Sequence, residues 1–533
     1  MLYLIVFLSG AVLMSLEMVG SRILAPSFGS SIYIWGSLIV VVMAALTLGY
    51  FYGGRIADQH PKISLMGLIL ALAGVFIGFL PFWTLPINRY FSGFDPRAGS
   101  LLAALAFFFI PSLLLATISP FAIKLSTKNL TTIGNTAGHL SAVSSAGSII
   151  GTLVTSFFLI PAIGVRNIVH SLGMILLFLA LIILIFGETR RRSGEETGLT
   201  ESGYRSMRQR SILLILIAIL LLGILWVFAP YSFSYYHPSE IRYERDSLYH
   251  HIIVTEDQYQ RNLHFDNSYQ SAIDRNDPLR MVFEYTSYLH LGVVAQPRPE
   301  RVLFIGLGGG SAPKKFLHDY PTLKTVDVVE IDPEVIRVAH RYFDLPRDPK
   351  LQVYAQDGRL FVERKAGEIA AGKSLLYDLV IIDAYSASTI PYHLTTREFF
   401  QLIRRVLAPD GAVVANIIGA INGPKNKLLR AMTRTYAAVF PQIYLFPIGP
   451  GAEIDTYERN MILIATDSPQ WDRKAWVQKA EELYQRKLIN EDVPEFAQML
   501  VDDRVLRKKG WIEGVPMLTD DFAPVDTLQN PLL

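Results

Sequence analysis

The sequence predicts an α-helical membrane bundle followed by an α/β domain with a doubly wound sheet. Three observations carry this prediction. The chain of 533 residues is 51% hydrophobic and only 18% charged, which is too apolar for an ordinary soluble protein. Residues 1–230 consist largely of apolar stretches long enough to cross a bilayer. From Arg301 onward, short apolar strands alternate with helical patterns, as in a parallel sheet covered by helices on both faces.

Residues 1–230 contain seven apolar stretches, each close to the roughly 20 residues that span a bilayer as a helix. They run from Leu2 to Leu24, Ile32 to Gly54, Ser64 to Pro86, Leu101 to Leu125, His139 to Pro161, Val165 to Phe186 and Ser211 to Pro230. Small residues are frequent within them, as in Ser141 to Gly151, and small side chains let helix backbones approach closely. We therefore expect a seven-helix transmembrane domain, with the lipid bilayer as its partner.

Residues 231–300 are predicted to form a small antiparallel β lead-in. Segments such as His251 to Thr255 alternate and are rich in β-formers, so this sheet should span Ile241 to about Ile273. Residues 301–533 should form the second domain. Its strands are expected at Arg301 to Ile305, Thr325 to Ile331, Leu351 to Ala355, Asp378 to Ile382 and Ala412 to Ile417. Ligands of such sheets bind at the carboxyl ends of the strands, where the site should therefore lie.

The first two strand ends suit a nucleotide-like ligand. The first strand runs into Gly306-Leu307-Gly308-Gly309-Gly310-Ser311, a turn where a ligand can lie against the backbone. The second strand leads to Glu330, whose carboxylate is placed to accept both hydroxyls of a ribose. These two features fit a nicotinamide dinucleotide equally well.

The next strand ends favour another ligand. Asp357-Gly358 follows the third strand and suits the amino group of adenine, and the fourth strand ends in Asp383. Ser311 stands where the dinucleotide fingerprint has its third glycine. Together these features favour an adenosyl-sulfonium ligand of the S-adenosylmethionine type over NAD.

The stretch from about Tyr243 to Pro447 resembles spermidine synthases, and the whole chain resembles the bacterial membrane-fused members of that family. The family's glycine loop, ribose acid, adenine Asp-Gly and catalytic aspartate match Gly308 to Gly310, Glu330, Asp357-Gly358 and Asp383. Leu518 to Val525 also resembles a signature of the fused branch. The resemblance implies a class I methyltransferase-like (Rossmann-like) fold. It also implies transfer of an aminopropyl group from decarboxylated S-adenosylmethionine to putrescine, which leaves methylthioadenosine.

The departures from the family pattern fall on the amine side. Ser311 replaces the aspartate that holds the donor's ammonium, and Ser386 replaces the second aspartate of the catalytic loop. Val282-Phe283 replaces a Tyr followed by His or Gln, and His250 replaces a glutamine. If the C-terminal segment folds back over the site, Asp520 or Asp521 would restore the negative charge that the amine side lacks. The alternative is that both residues lie in a surface loop. The residues expected around adenosine thus match the family pattern, while those expected around the amine differ from it.

Asp383 is the predicted catalytic residue. An amine acceptor must lose a proton to attack carbon, and a carboxylate can take that proton. The alternative is a strand-end aspartate that only caps the next helix. Without an aspartate at position 311, nothing there repels the carboxylate of intact S-adenosylmethionine. An S-adenosylmethionine-dependent methyltransferase is therefore the close alternative to the aminopropyltransferase, and a non-catalytic membrane-bound sensor of an adenosyl ligand is the alternative of another class.

Five further residues are acceptor-side candidates: His250, Gln270, Tyr385, Ser386 and His393. His393 lies where the family has a mobile loop, and an ordinary loop histidine is the alternative. His250 and His251 are adjacent in a predicted strand, so their side chains point to opposite faces. No metal site is predicted.

Net charge and cysteine content limit which other classes of partner and ligand the chain can have. Lys and Arg number 49 against 47 Asp and Glu, a net charge of +2, which predicts no nucleic-acid partner. The chain has 0 cysteines, which excludes disulfides, thiolate metal ligands and cysteine nucleophiles. We expect a small-molecule amine substrate, and assembly with further copies of the chain is left open.

The side of the membrane is ambiguous. A polar linker over residues 187–210 carries six arginines: Arg190, Arg191, Arg192, Arg205, Arg208 and Arg210. The positive-inside rule places this linker in the cytoplasm, so that a seventh span would carry the C-terminal domain outside. The adenosyl donor, however, is made inside the cell. We expect a multi-pass cell-membrane protein with a cytoplasmic catalytic domain, although the charge rule argues the other way.

Overall fold

The computed structural model describes residues 1–28, 32–127, 132–186, 209, 212–221, 223, 240–266, 268–385, 389–449, 456–501 and 510–529. The chain forms two compact units. The first comprises Met1–Ser239 and Arg245–His251, and the second comprises Glu240–Glu244 and Ile252–Leu533.

The first unit is built from long apolar helices. Their bounds are α1 (Leu2–Phe28), α2 (Ile32–Gln59), α3 (Ile63–Phe91), α4 (Pro96–Ser126), α5 (Ile133–Val154) and α6 (Ile160–Phe186). In the part of the chain that the structure describes, six helices are long and apolar enough to cross a membrane. The seventh predicted span contributes the shorter apolar helix α7 (Ile212–Leu221). Almost all of its remaining residues and of the arginine linker lie outside the described ranges, so the seventh span stays a prediction.

Small residues bring α1 and α5 into close contact. A β-carbon added at Gly147 would lie 2.0 Å from the carbonyl oxygen of Phe7, and one at Gly151 would lie 2.4 Å from that of Ala11. The Ser15 hydroxyl also donates to the Gly151 carbonyl at 3.3 Å. Backbones at this distance exclude larger side chains, as expected for helices that pack within lipid. Gly147 and Gly151, in the stretch from Ser141 to Gly151, therefore serve helix packing.

The antiparallel lead-in has the predicted position. Its four strands are β1 (Ile241–Asp246), β2 (His251–Glu256), β3 (Gln260–Phe265) and β4 (Ser268–Asp274), in that spatial order. Its apolar face forms a small core with residues of the following domain, including Val335, Val338 and Phe343. The lead-in is therefore packed against the main domain of the second unit.

The main sheet has seven strands in the order β10-β11-β9-β8-β5-β6-β7. Their bounds are β5 (Arg301–Ile305), β6 (Thr325–Glu330), β7 (Leu351–Ala355), β8 (Tyr377–Ile382), β9 (Leu407–Gly419), β10 (Gln442–Pro447) and β11 (Arg459–Thr466). The strands β5 to β9 pair in parallel, as predicted. β11 joins β9 and β10 in antiparallel pairing, so the sheet is mixed and not purely parallel.

Helices cover both faces of this sheet. They are α8 (Glu284–Tyr288), α9 (Leu291–Ala295), α10 (Ser311–Asp319), α11 (Pro333–Tyr342), α12 (Gly358–Ala370), α13 (Arg397–Val406), α14 (Lys427–Ala437), α15 (Arg473–Gln485), α16 (Val493–Gln498) and α17 (Val525–Gln529). Leu303 and Ile305 of β5 pack with Phe361 of α12, while Val302 and Phe304 pack on the opposite face with Phe316 of α10. Successive side chains of a strand alternate between faces, and this alternation is what builds two cores.

Polar residues at the strand ends begin the following helices. Asp332 accepts from the Glu334 N–H at 2.9 Å, and Asp357 accepts from the Arg359 N–H at 2.9 Å. Such caps satisfy N–H groups that have no partner within the helix. The ends of β6 and β7 are thereby fixed to the starts of α11 and α12, and the polar side chains around them are held in place.

Candidate active site

The glycine loop after β5 lies directly beside the end of β8. Gly306, Gly308 and Gly310 have positive φ angles of 101°, 54° and 77°. A β-carbon at Gly306 would lie 2.1 Å from the carbonyl oxygen of Asp383, so only glycine permits this approach. β5 and β8 are also neighbours in the sheet. The loop and Asp383 therefore share one edge of the sheet, as the sequence predicted.

Glu330, at the end of β6, is bound to this loop through the backbone. One carboxylate oxygen accepts the N–H of Leu307 at 3.1 Å, and the other accepts the N–H of Asp332 at 3.0 Å. The residue is only 8% exposed. Burial raises the pKa of Glu330 to about 7, although the backbone N–H donors oppose the rise. The carboxyl thus titrates near neutral pH, at the strand end where a ribose is expected.

Asp357 and Gly358 lie against the same edge. A β-carbon at Gly358 would lie 2.6 Å from Cγ2 of Ile305, so the start of α12 needs a glycine to approach β5. Asp357 Oδ1 accepts two backbone N–H groups at the start of α12, and Oδ2 lies 3.0 Å from Nε2 of His393. The hydrogen bond with His393 lowers the pKa of Asp357. The carboxylate therefore stays ionised over a wide pH range.

His393 is predicted on the acceptor side. In the structure its side chain is hydrogen-bonded to Asp357, the residue predicted to bind adenine. Its backbone carbonyl also accepts from Nη1 of Arg359 at 3.1 Å. Two bonds therefore hold the short segment around His393 against the start of α12. The sequence pattern did not reveal this pairing because Asp357 and His393 are 36 positions apart.

The C-terminal motif is joined to the same region. Arg359 Nη1 donates to Asp520 Oδ1 at 2.6 Å, and the second guanidinium nitrogen donates to the other carboxylate oxygen. Thr396 Oγ1 also donates to Asp520 at 2.7 Å. This bidentate pair is a strong, directional contact. Asp520 thus fixes the C-terminal motif at the start of α12. Asp521 is exposed, and a charge supplied to the amine side by either residue stays a prediction.

Asp383 is held by two neutral donors. Asn416 Nδ2 donates to its Oδ1 at 2.9 Å, and the Tyr285 hydroxyl donates to its Oδ2 at 3.1 Å. Burial raises the pKa of Asp383, opposed by these two hydrogen bonds. These are the partners of its carboxylate among the described residues. The capping alternative stays open, because residues 386–388 lie outside the described ranges. A carboxylate oriented without a cationic partner keeps its basicity, as a general base requires.

The strand β4 runs along the glycine loop. A β-carbon at Gly308 would lie 3.8 Å from the carbonyl oxygen of Gln270, and Ser311 Oγ donates to the Ala272 carbonyl at 3.4 Å. Gln270 is half-buried in β4. The structure therefore brings Gln270 and Ser311 to the loop, while their roles toward amine and donor stay predictions.

The remaining acceptor-side candidates differ in placement. Tyr385 accepts from the Ile418 N–H at 2.7 Å and donates to the Asn416 carbonyl at 3.3 Å, so its hydroxyl fixes the chain after β8 onto β9. His250 lies buried in the turn between β1 and β2, where burial lowers its pKa to about 4 and keeps the imidazole neutral. It belongs to the segment that groups with the first unit. Ser386 lies outside the described residues.

Sequence reasoning missed Tyr285, Asn416 and Asn460. Asn416 lies in β9 and is only 4% exposed, and its Oδ1 accepts from Nδ2 of Asn460 in β11 at 2.9 Å. The signal for Asn416 in the sequence is a lone asparagine within the apolar run Ala412 to Ile418. Tyr285 has no such signal, because the pattern around α8 does not show which side chain faces the sheet.

The site has the layout of Rossmann-like transferases that use adenosyl donors, and comparisons with known proteins narrow this class. Residues 282–474 match the family model of the spermine/spermidine synthase domain. The chain is 32% identical over 310 residues to the polyamine aminopropyltransferase of Vibrio vulnificus (strain CMCP6), which covers 56% of this chain and 94% of that protein. It is also 29% identical over 221 residues to the eEF1A lysine and N-terminal methyltransferase of Homo sapiens, with 40% of this chain and 27% of that protein covered.

Among solved structures, a probable spermidine synthase from Corynebacterium glutamicum ATCC 13032 has a TM-score of 0.42 and 23% identity, and covers 54% of this chain and 96% of that one. The match to the Vibrio vulnificus protein spans nearly the whole of that relative. The chain therefore belongs to the polyamine aminopropyltransferase, or spermidine synthase, family and is a transferase enzyme.

Glu330 supplies the first test of the site. Glu330→Ala in the full-length protein is expected to weaken methylthioadenosine binding by about 1 to 3 kcal/mol, since buried polar partners would be left unpaired. Isothermal titration calorimetry measures this difference. Glu334→Ala, four residues after the end of β6 and outside the glycine loop, serves as the control. Equal affinity of Glu330→Ala and wild type would remove Glu330 from the ribose site.

The pKa of Glu330 also predicts a pH dependence. Ribose hydroxyls donate to the ionised carboxylate, so methylthioadenosine affinity should rise as the pH increases through about 7. The effect on stability has the opposite sign. The folded protein retains this proton between pH 4.5 and about 7, where the unfolded chain releases it, so the contribution of Glu330 to the free energy of unfolding falls across that window. Glu330→Gln should abolish the rise in affinity, and an unchanged rise in this variant would assign it to another group.

Proposed function

We propose that the second unit transfers an aminopropyl group from decarboxylated S-adenosylmethionine to an amine acceptor such as putrescine. The observation that carries the proposal is the carboxylate of Asp383, held by Asn416 and Tyr285 beside the glycine loop. It is supported by membership of the aminopropyltransferase family.

The roles of the residues follow from the site. The glycine loop and Glu330 hold the donor's adenosine, with the ribose on the Glu330 carboxylate, and Asp357 faces the adenine amino group. Asp383 accepts a proton from the acceptor amine and orients its nitrogen. That nitrogen forms a bond to the aminopropyl carbon attached to the sulfonium sulfur, as this carbon–sulfur bond breaks. The bond electrons pass to the sulfonium, which leaves as the neutral thioether of methylthioadenosine.

A second candidate is methyl transfer from intact S-adenosylmethionine. The observation that favours it is Ser311, whose hydroxyl donates to the Ala272 carbonyl and adds no negative charge to the start of α10. A carboxylate at this place would repel the carboxylate of the intact donor. The donor therefore has to be determined by experiment.

The test offers the full-length protein both donors in parallel with a mixture of polyamines. Mass spectrometry then follows methylthioadenosine, S-adenosylhomocysteine and the modified amine. Methylthioadenosine together with an aminopropylated amine is the expected result. S-adenosylhomocysteine in its place selects the methyltransferase. Neither product, although methylthioadenosine binds, contradicts the proposal for these acceptors and favours the sensor hypothesis.

We also propose that the second unit faces the cytoplasm, where its donor is made. Because the chain contains 0 cysteines, a single introduced cysteine is a clean probe. Lys373→Cys in an exposed turn of the second unit should resist a membrane-impermeant maleimide in intact cells and react after lysis. Ser92→Cys, in the exposed connection between α3 and α4, should be labelled from outside if the positive-inside rule holds for the bundle. Labelling of Lys373→Cys in intact cells would place the domain outside.

A further inference from the structure

The roles given above do not account for two asparagines next to Asp383: Asn416, which contacts it, and Asn460, which contacts Asn416. Asn416 in β9 and Asn460 in β11 belong to neighbouring antiparallel strands, in which Asn460 lies opposite Ile418 and Asn416 lies opposite Ile462. Directly opposite residues and residues two apart on one strand share a face of the sheet. Both amides therefore lie on the same face, and their 2.9 Å contact follows from the register.

The contact fixes which way the Asn416 amide points. An asparagine side chain has one end that accepts and one end that donates hydrogen bonds. Asn460 Nδ2 donates to Asn416 Oδ1, which leaves the Asn416 NH2 group to donate to Asp383 Oδ1 at 2.9 Å. Rotation of the amide by half a turn would put its oxygen against the carboxylate and its NH2 group against that of Asn460. In the orientation that it has in the structure, Asn460 therefore disfavours the Asn416 orientation that would repel Asp383.

The arrangement also affects the basicity of Asp383. Donation from Asn416 stabilises the ionised carboxylate and so opposes the rise in the pKa of Asp383 that burial causes. A cationic partner would lower this pKa further, and the base would then hold a proton less well. Two neutral amides in series orient the carboxylate while leaving its charge available for an ammonium.

We propose that Asn460 is a positioning residue, which acts on Asp383 through Asn416 and sets the direction of the catalytic carboxylate. The proposal rests on the proposed function, because it assigns Asp383 the role of base. It concerns the same site and adds a residue that lies two hydrogen bonds from the Asp383 carboxylate.

The experiment compares Asn460→Leu with wild type in the full-length protein, over a range of pH. Leucine has a similar size and no hydrogen-bonding group. We expect kcat to fall about tenfold, as for a lost hydrogen bond of about 1.4 kcal/mol, with the KM for the donor unchanged. The acid limb of kcat/KM, which reports the base of the free enzyme, should move to higher pH because the Asn416 donation is weakened.

Two further variants separate positioning from general destabilisation. Asn460→Asp presents only acceptors to Asn416, so it should turn the Asn416 oxygen toward Asp383 and lower kcat more than leucine does. Asn490→Leu is the matched control, because Asn490 donates to Asp319 at 2.7 Å and has no bond to Asp383 or Asn416. It should leave the acid limb in place. Methylthioadenosine affinity and thermal unfolding verify that each variant is folded.

The outcomes distinguish this proposal from the proposed function. An acid limb that stays in place in Asn460→Leu overturns the positioning role, whether kcat is unchanged or falls as far as in Asn490→Leu. A wild-type protein without turnover on any donor and acceptor overturns the proposed function instead. A shifted acid limb together with a larger loss in Asn460→Asp supports Asn460 as a positioning residue.

Discussion

Asp383→Asn is expected to lower turnover by roughly a hundredfold or more, since positioned proton transfer typically contributes this much. The affinity for methylthioadenosine should stay close to that of wild type, because this ligand is expected on the glycine loop, Glu330 and Asp357. The amide also fits the site. Its oxygen can accept from Asn416, and its NH2 group can donate to the Tyr285 hydroxyl oxygen, so a folded protein is expected.

The measurement combines single-turnover kinetics with calorimetry on the full-length protein. Asp410→Asn is the matched control, since it makes the same chemical change at an exposed position of β9. It should leave both quantities unchanged. An Asp383→Asn protein that keeps most of its turnover would show that another group accepts the proton, and the general-base role would be lost.

Ser311→Asp is expected to weaken binding of intact S-adenosylmethionine by at least about tenfold, while binding of the decarboxylated donor improves or is unchanged. Two like charges about 4 Å apart near a protein surface repel by about 4 kcal/mol. A third of this energy already corresponds to a tenfold change in affinity. An aspartate at the first position of α10 is also compatible with the fold, because helix N-termini favour negative charge.

Ser311→Asn is the control for this prediction, because it has nearly the same size as aspartate and no charge. Calorimetry with both donors should show no new preference in this variant. If Ser311→Asp binds both donors as wild type does, position 311 does not lie near the carbon that carries the carboxylate in the intact donor and a hydrogen in the decarboxylated donor. The departure from the family's aspartate would then have no bearing on the choice of donor.

The site also depends on contacts that span long stretches of chain. The Arg359–Asp520 pair joins residues 161 positions apart and fixes the C-terminal motif at the start of α12. Arg359 further holds the His393 carbonyl. The sequence suggested that Leu518 to Val525 is a signature, but it did not show which element the motif contacts. Asp520 therefore has a structural role that its position in the sequence does not reveal.

Several elements could be predicted closely because their signals are local. β5 and β7 have the predicted bounds, and β6 ends at Glu330, one residue before the predicted end. Runs of buried apolar residues bounded by polar ones produce this agreement. The long helices of the first unit follow from apolar length in the same way. β10 and β11 were not predicted, since their antiparallel pairing with β9 depends on partners distant in the chain.

The sequence by itself determined where the polar side chains of the site stand: Glu330, Asp357 and Asp383 follow strands, and parallel strands end at one edge of the sheet. The tertiary structure alone decided what each of them contacts. His393 lies on Asp357, and Asn416 and Tyr285 hold Asp383. The reason is physical. Strand ends are set by local hydrophobic patterns, whereas hydrogen-bond partners and the pKa values they shift depend on burial and on residues brought together from distant parts of the chain.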